Sequence, residues 1–156
     1  MKSNRVFFQF LVFTTVLTGL LAFVLVPAES KVQKHASIEG RYLGQWSSTP
    51  PNGKKYDKIP ISAIIRSKTD SEYTGEFFFT KYFAPCCDGE LHNGTLEIRV
   101  VGNKIISWIY NDLIPNCHGT FQGTGEVESN GNIRIDFEGS DCEGEHADAF
   151  LTLIPE

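Results

Sequence analysis

Three short stretches of this sequence combine cysteine with histidine, and together they could bind a metal ion. The stretches are residues 86–92, 117–118 and 142–146. Cysteine thiolates and histidine nitrogens are the ligands that Zn²⁺ prefers in proteins. A zinc site would require the three stretches to meet in the folded chain. The same cysteines could instead form disulfides, so the choice depends on the compartment in which the protein works.

One segment contains the residue types of a serine hydrolase triad: Ser140, Asp141 and His146. The chain lacks the G-x-S-x-G pattern that exposes a nucleophilic serine on a sharp turn. Closeness in sequence also says nothing about the hydrogen bonds that such a triad needs. We therefore predict no catalytic residue and favour a non-enzymatic role.

Acidic residues in the same region permit two further interpretations. Residues 141–148 contain several carboxylates, but their spacing departs from that of an EF-hand calcium loop. Asp136 and Glu138 alternate onto one face of a predicted strand, where paired carboxylates could act on a glycosidic bond. Arg134 lies on the same face, so a solvated and charge-balanced outer surface is the simpler account.

The N-terminal region indicates export. Residues 6–26 form a long apolar run behind Lys2 and Arg5, and Ala28 precedes Glu29 at a suitable cleavage position. A run of this length is typical of a signal peptide but could also span a bilayer. We predict a signal peptide or N-terminal membrane anchor over residues 1–28, a polar tether over 29–38 and one domain over 39–156. This domain is expected to be secreted or extracytoplasmic, or else anchored by the N-terminal segment.

The net charge limits the classes of partner. The chain carries a formal charge of −5, and removal of residues 1–28, which contain Lys2 and Arg5 but no acidic residue, makes it −7. Nucleic acids and anionic lipid surfaces are bound through clusters of basic residues. We therefore predict no nucleic-acid partner, and membrane contact only through a retained N-terminal segment.

Beyond residue 38, apolar residues alternate with a period of two, which is typical of β-strands. Eight strands are predicted, over residues 41–47, 59–66, 73–83, 94–101, 104–110, 118–128, 133–140 and 147–154. No stretch keeps the apolar stripe of a helix for three turns. Short strands and tight turns in series predict an all-β fold, a small antiparallel up-and-down barrel.

Two predicted hairpins fix the pairing of their strands. Gly102 and Asn103 form a two-residue turn with glycine first, so that Val101 pairs with Lys104. Simple alternation then points residues 96, 98 and 100 to the same side as 105, 107 and 109, and places residues 106, 108 and 110 on the other side. The next hairpin is predicted to have a three-residue loop at 129–131, with the glycine at position 131 in a left-handed conformation. Residue 127 then faces residue 133.

The first strand carries the sequence YLGQW at residues 42–46, and residues 74–77 read TGEF. This G-x-W motif and the repeated pairing of glycine with an aromatic residue resemble those of the calycin superfamily, which includes lipocalin-like and avidin-like proteins. The resemblance implies an eight-stranded up-and-down barrel that binds a small ligand inside. Lipocalins stack a basic residue from near the chain end on this tryptophan, and Arg134 is the nearest substitute here.

Aromatic residues predicted to lie inside the barrel are the candidate ligand-binding residues: Tyr42, Trp46, Phe77, Phe79, Trp108 and Phe121. Such rings either line an apolar cavity or fill it. We predict an exported, non-catalytic module that binds an apolar small molecule. One alternative is a structural or protein-interaction module at the cell surface that exposes Trp108 and Phe83. The other is an enzyme built on a barrel scaffold.

The four cysteines are expected to be oxidised outside the cytoplasm, where thiols usually form disulfides. Cys117 and Cys142 flank the hairpin of the sixth and seventh strands, so we predict a disulfide between them. Cys86 and Cys87 remain open: they could form a vicinal disulfide, stay as free thiols or exchange with the other pair. Because oxidation competes with metal binding and no C-x-x-C pair is present, we predict no metal and no other cofactor.

Overall fold

A computed structural model describes residues 37–79, 93–114 and 116–156. Its strands are β1 (Gly40–Thr49), β2 (Tyr56–Ser67), β3 (Glu72–Phe79), β4 (Asn93–Val101), β5 (Lys104–Asp112), β6 (Gly119–Val127), β7 (Ile133–Asp141) and β8 (Gly144–Pro155). Each strand pairs antiparallel with the next, and β8 pairs with β1 to close a barrel. The predicted all-β, eight-stranded up-and-down barrel is therefore confirmed.

Several predicted features fall on residues outside this description. They are the leader at 1–28, the tether up to residue 36, the extension of the third strand to residue 83, and Cys86 and Cys87. No helix formed by the described residues is long and apolar enough to cross a membrane.

The predicted pairing next to each of the two hairpin turns is confirmed. Val101 pairs with Lys104, and Gly102 has a φ of 63°, as the first turn residue of a type II′ hairpin requires. Val127 pairs with Ile133 across the next hairpin, where the glycine at position 131 has a φ of 87°. The glycines therefore stand where the chain needs a left-handed backbone.

The predicted faces of β5 were wrong from residue 107 onwards, because the ladder between β4 and β5 shifts register between Arg99 and Val100. Ile98 pairs with Trp108 instead of Ser107, as a β-bulge displaces the alternation by one residue. Trp108 is fully buried inside the barrel, and Ile106 is exposed on its outer wall. Trp108 is thus unavailable for the surface patch that the interaction hypothesis assigned to it.

Glycines in the strand interiors allow the wall to curve. A Cβ added at Gly75 would lie 2.2 Å from the backbone oxygen of Ile64, and one at Gly125 would lie 2.0 Å from that of Arg134. A Cβ at Gly94 would lie 2.1 Å from the ring of Tyr110. These positions require glycine because neighbouring strands and rings approach too closely for any side chain, as in other sharply coiled barrel walls.

The two ends of the barrel differ. The loop end contains the connections at residues 50–55, 113–118 and 142–143, and the turn end contains those at 68–71, 102–103 and 128–132. Aliphatic side chains fill the barrel towards the turn end: Ile65, Val100, Ile105, Val127, Ile133 and Leu153. Nearer the loop end lies an aromatic cluster: Trp46, Phe77, Phe79, Trp108, Tyr110, Phe121 and Phe137.

Trp46 is the centre of the aromatic cluster. Its ring contacts those of the six other members, with centroid separations from 4.1 Å for Phe137 to 6.5 Å for Trp108. Several of these contacts are edge-to-face, the arrangement that aromatic quadrupoles favour. The cluster thus fills the middle of the barrel and supports the polar residues at the loop end.

Candidate functional site

A buried chain of polar contacts crosses the loop end of the barrel. The indole Nε1 of Trp46 donates a hydrogen bond of 2.9 Å to Ser48 Oγ, which lies 2.9 Å from His146 Nδ1. The other ring nitrogen of His146, Nε2, lies 3.2 Å from Asp141 Oδ1. Ser48 is 1% exposed and His146 is 7% exposed, so this chain is almost completely removed from solvent.

Backbone irregularities bring these side chains together. The ladder between β1 and β2 shifts between Trp46 and Ser48, and the ladder between β7 and β8 shifts between Phe137 and Gly139. Asp148 has a φ of 48°, a conformation that L-residues seldom adopt. The resulting bulge in β8 turns His146 into the barrel, whereas unbroken alternation from Ala149 would have pointed it outwards.

Two acidic side chains lie beside the imidazole. The Tyr56 hydroxyl donates a hydrogen bond of 2.5 Å to Glu143 Oε2, and the backbone N–H of Glu143 donates one of 2.7 Å to Asp141 Oδ1. Asp141, Glu143 and His146 each offer one ligand atom, and these atoms lie within 4.8 Å of one another. The turn that carries both carboxylates is tied to the neighbouring loop by the Cys117–Cys142 disulfide. The predicted disulfide is thereby confirmed.

The protonation of these groups reflects their burial and their partners. Burial alone would raise the pKa of Asp141, but the interaction with His146 and the backbone N–H of Glu143 together lower it. Burial and the adjacent Glu143 carboxylate raise the pKa of Tyr56. Asp141 is therefore held as a carboxylate, while the Tyr56 hydroxyl remains a donor.

A small cavity of about 30 Å³ opens between the aromatic cluster and the polar groups. Its lining residues are Trp46, Tyr56, Phe79, Tyr110, Asp112, Phe121 and Asp141. A space of this size accommodates one or two water molecules, since a single water needs roughly 10–15 Å³. It is far smaller than the pockets of about 300 Å³ or more that hold typical small-molecule ligands.

Tyr110 and Asp112 supply buried polar groups to this cavity. The Tyr110 hydroxyl is fully buried and makes no hydrogen bond of acceptable geometry, although the Asp112 carboxyl is close enough to influence it. Burial, with the Asp112 charge, raises the pKa of Tyr110, so its hydroxyl remains protonated. Burial raises the pKa of Asp112 to about 6, and the charge of Asp141 adds to the increase. The backbone N–H of Ile114, at 3.1 Å from Asp112 Oδ1, partly opposes it.

The structure changes the triad hypothesis. Ser140 is exposed on β7, and Ser48 is the serine that contacts His146. The Ser48 hydroxyl is buried and already accepts the Trp46 N–H, so it is not presented to a substrate as a nucleophile must be. The Trp46–Ser48–His146 chain is better suited to orienting the imidazole than to acyl transfer.

The three stretches of the zinc hypothesis do not form a Cys/His site among the described residues. Cys117 and Cys142 are joined in a disulfide and therefore provide no thiolate. His118 is exposed, and residues 86–92 lie outside the description. Two residues of the third stretch, Glu143 and His146, do lie close together, and Asp141 at the end of β7 lies beside them.

The six candidate ligand-binding residues all lie inside the barrel: Tyr42, Trp46, Phe77, Phe79, Trp108 and Phe121. Five of them belong to the aromatic cluster, whereas the Tyr42 hydroxyl donates to the backbone oxygen of Ile38, near the turn end. Arg134 does not approach Trp46, because its guanidinium lies on the outer wall, 5.6 Å from the ring of Phe150. The described part of the chain therefore lacks the basic partner of the lipocalin tryptophan.

Sequence reasoning missed Ser48, Tyr56 and Asp112. Ser48 could have been found, since it follows Trp46 by two residues on the same strand face. Asp112 lies on the same face as Trp108, but alternation counted from Ile105 places that face outside the barrel unless the bulge in β5 is known. No sequence signal distinguishes Tyr56, the first residue of β2, from the residues that precede it.

No protein-family model and no curated protein matches the sequence. Among solved structures, the chain is similar to a redesigned β-barrel, with 14% identity and a TM-score of 0.49 over 76% of this chain and 91% of that one. It is also similar to a de novo designed fluorescence-activating β-barrel, with 14% identity and a TM-score of 0.48 over 80% of this chain and 96% of that one.

Proposed function

We propose that this chain is an exported, non-catalytic binding module whose ligand enters the barrel from the loop end. The observation that carries the proposal is the Tyr110 hydroxyl in the wall of the cavity, a buried donor that lies near the Asp112 carboxyl without reaching good hydrogen-bond geometry. A buried donor that is poorly satisfied costs stability, and a well-placed acceptor on a ligand would recover part of that cost. The Cys117–Cys142 disulfide suggests an oxidising, extracellular environment and supports export.

The surroundings of Tyr110 define the class of ligand. The rings of Trp46, Phe79 and Phe121 offer apolar faces, and on the polar side Tyr110 offers a donor beside the other polar lining residues, which are Tyr56, Asp112 and Asp141. These features suit a small apolar molecule with a single hydrogen-bond acceptor, such as a carbonyl group. Because the cavity holds about 30 Å³, a ligand larger than a few atoms must displace rings of the aromatic cluster. The central position of Trp46 also supports a relation to the calycins.

The test uses the full chain, with its disulfide formed, and the neutral fluorophore prodan, which joins a naphthalene ring to one carbonyl acceptor. We expect saturable binding with a blue shift of the probe emission. Tyr110→Phe removes the donor and should weaken binding about fivefold, the effect of one hydrogen bond. Tyr73→Phe, at the turn end, is the matched control and should leave the affinity unchanged.

Absence of saturable prodan binding would contradict the proposal. Equal affinities of the Tyr110→Phe and Tyr73→Phe variants would also contradict the assigned donor. Naphthalene provides a further comparison, since it lacks the acceptor: its affinity should be the same for wild type and Tyr110→Phe.

An interaction module at the cell surface is the second candidate. Leu43 and Ile154 are direct cross-strand partners on β1 and β8, and each is more than half exposed on the outer wall. Paired exposed apolar side chains favour contact with a protein partner. A Leu43→Lys variant should then reduce self-association in sedimentation velocity, and a monomeric wild type would remove the case for a homodimer.

A further inference from the structure

We propose that Asp141, Glu143 and His146 form a binding site for a divalent first-row transition-metal ion, and that Zn²⁺ is its preferred occupant. The three ligand atoms, one imidazole nitrogen and two carboxylate oxygens, lie within 4.8 Å of one another. His146 Nε2 and Asp141 Oδ1 are 3.2 Å apart, close to the separation of about 3.4 Å between ligands in a tetrahedral zinc site. Binding therefore requires mainly a small movement of Glu143.

The buried imidazole provides evidence beyond the acidic pair. The His146 side chain is 4% exposed, and its Nε2 makes no hydrogen bond of acceptable geometry although it points towards the carboxylates. Ser48 Oγ has two lone pairs, so it can accept the Trp46 N–H and the His146 Nδ1–H together. In this tautomer the lone pair of Nε2 faces two carboxylates, and a cation shared by the three groups would satisfy all of them.

Each proposed ligand is also held by a partner of its own. Ser48 contacts the far nitrogen of His146, Tyr56 donates to Glu143, and a backbone N–H donates to Asp141. Such outer partners orient the ligands of natural metal sites and fix the histidine tautomer.

The donor set determines the preferred ion. Ca²⁺ and Mg²⁺ bind almost exclusively oxygen ligands, and Ca²⁺ needs six to eight of them. An imidazole with two carboxylates instead matches the three-ligand zinc sites that keep a fourth position for water or a ligand. Asp141 also lines the cavity, so that fourth position would lie beside the aromatic cluster.

The experiment measures Zn²⁺ affinity by competition with a chromophoric chelator, using the full chain with its disulfide formed. We expect one Zn²⁺ per chain, and no competition from millimolar Ca²⁺. Glu143→Gln and Asp141→Asn should each weaken binding at least about tenfold, since each removes a charged ligand with little change in shape. Glu145→Gln removes the same charge from an exposed residue at the start of β8 and should change the affinity by less than about threefold.

A second measurement does not depend on the variants. Nitrogen NMR of the His146 ring should show Zn²⁺ shifting Nε2 while Nδ1 stays protonated by its contact with Ser48. Absence of stoichiometric Zn²⁺ binding would overturn the proposal, and so would equal affinities of the Glu143→Gln, Asp141→Asn and Glu145→Gln variants. Because Zn²⁺ is the only probe, this result is independent of prodan binding, and either proposal can fail alone.

Discussion

The turn end and the loop end of this barrel are built from the same eight strands but by different means. At the turn end, aliphatic side chains pack inside, and the left-handed residues among those described are all glycine: Gly40, Gly102 and Gly131. At the loop end, polar groups are buried and three residues other than glycine are left-handed: Lys58, Asn116 and Asp148. Backbone strain of this kind is retained where the surrounding structure requires it, commonly at functional sites. The difference is expected if the turn end mainly serves stability and the loop end contains the binding sites proposed above.

The largest effect should come from truncating the centre of the aromatic cluster. Trp46→Ala removes six ring contacts and the donor to Ser48, and should lower the free energy of unfolding by about 4–5 kcal/mol. Leu153→Ala, at the turn end, should lower it by about 3 kcal/mol. Urea unfolding of both variants checks the order. A smaller loss of unfolding free energy for Trp46→Ala than for Leu153→Ala would mean that the aromatic cluster is loosely packed and contributes less to stability than the turn end.

Removal of the disulfide should affect the loop end selectively. Replacing Cys117 and Cys142 together by serine should cost about 3 kcal/mol, because the bond closes a segment with a sequence separation of 25. Amide hydrogen exchange should accelerate at residues 141–146 more than at residues 100–105. Uniform acceleration over both ends would show that the disulfide stabilises the whole barrel equally.

Buried Asp112 should make the stability depend on pH. Its pKa is about 6 in the folded protein and 3.8 in its unperturbed state, so the folded protein binds the proton more tightly. The resulting stabilisation is present at low pH and is lost as the pH rises from about 4 to 6, by at most about 3 kcal/mol. Asp112→Asn keeps the acceptor for the Ile114 N–H and cannot ionise. The stability of this variant relative to wild type should therefore increase between pH 4 and pH 7, as measured by urea unfolding. A difference in unfolding free energy that stays constant over this range would contradict the raised pKa of Asp112.

The smallest effect should come from relieving strain in β8. Asp148 is exposed and has a φ of 48°, so Asp148→Gly should stabilise the protein by about 0.5 kcal/mol after the entropy cost of glycine. Asp136→Gly, in the regular part of β7, should instead destabilise it by about 1 kcal/mol. Thermal unfolding should show a higher melting temperature for Asp148→Gly and a lower one for Asp136→Gly than for wild type. Destabilisation by Asp148→Gly would mean that the aspartate side chain itself supports the bulge.

Sequence patterns predicted much of the barrel because alternation and turn chemistry are local signals. The turns at Gly102 and Gly131, the disulfide and the number of strands follow from such signals. The site depends on bulges, which insert one residue and reverse the faces that follow. Alternation counted back from Ala149 places His146 outside, and alternation counted from Ile105 misplaces Trp108. Neither bulge has a sequence signal as distinct as the glycine of a tight turn. The grouping of the polar side chains at the loop end therefore could not be predicted from the sequence.

Closure of the sheet by the pairing of β1 with β8 determines how this protein can meet other molecules. A sheet with a free edge presents a row of unpaired backbone groups that can join a strand of another chain, which is a common route to aggregation. Here the ladder continues around the whole wall. Contact of this strand wall with a second protein must therefore use side chains, and addition of a strand to it would first require breaking a seam of the barrel.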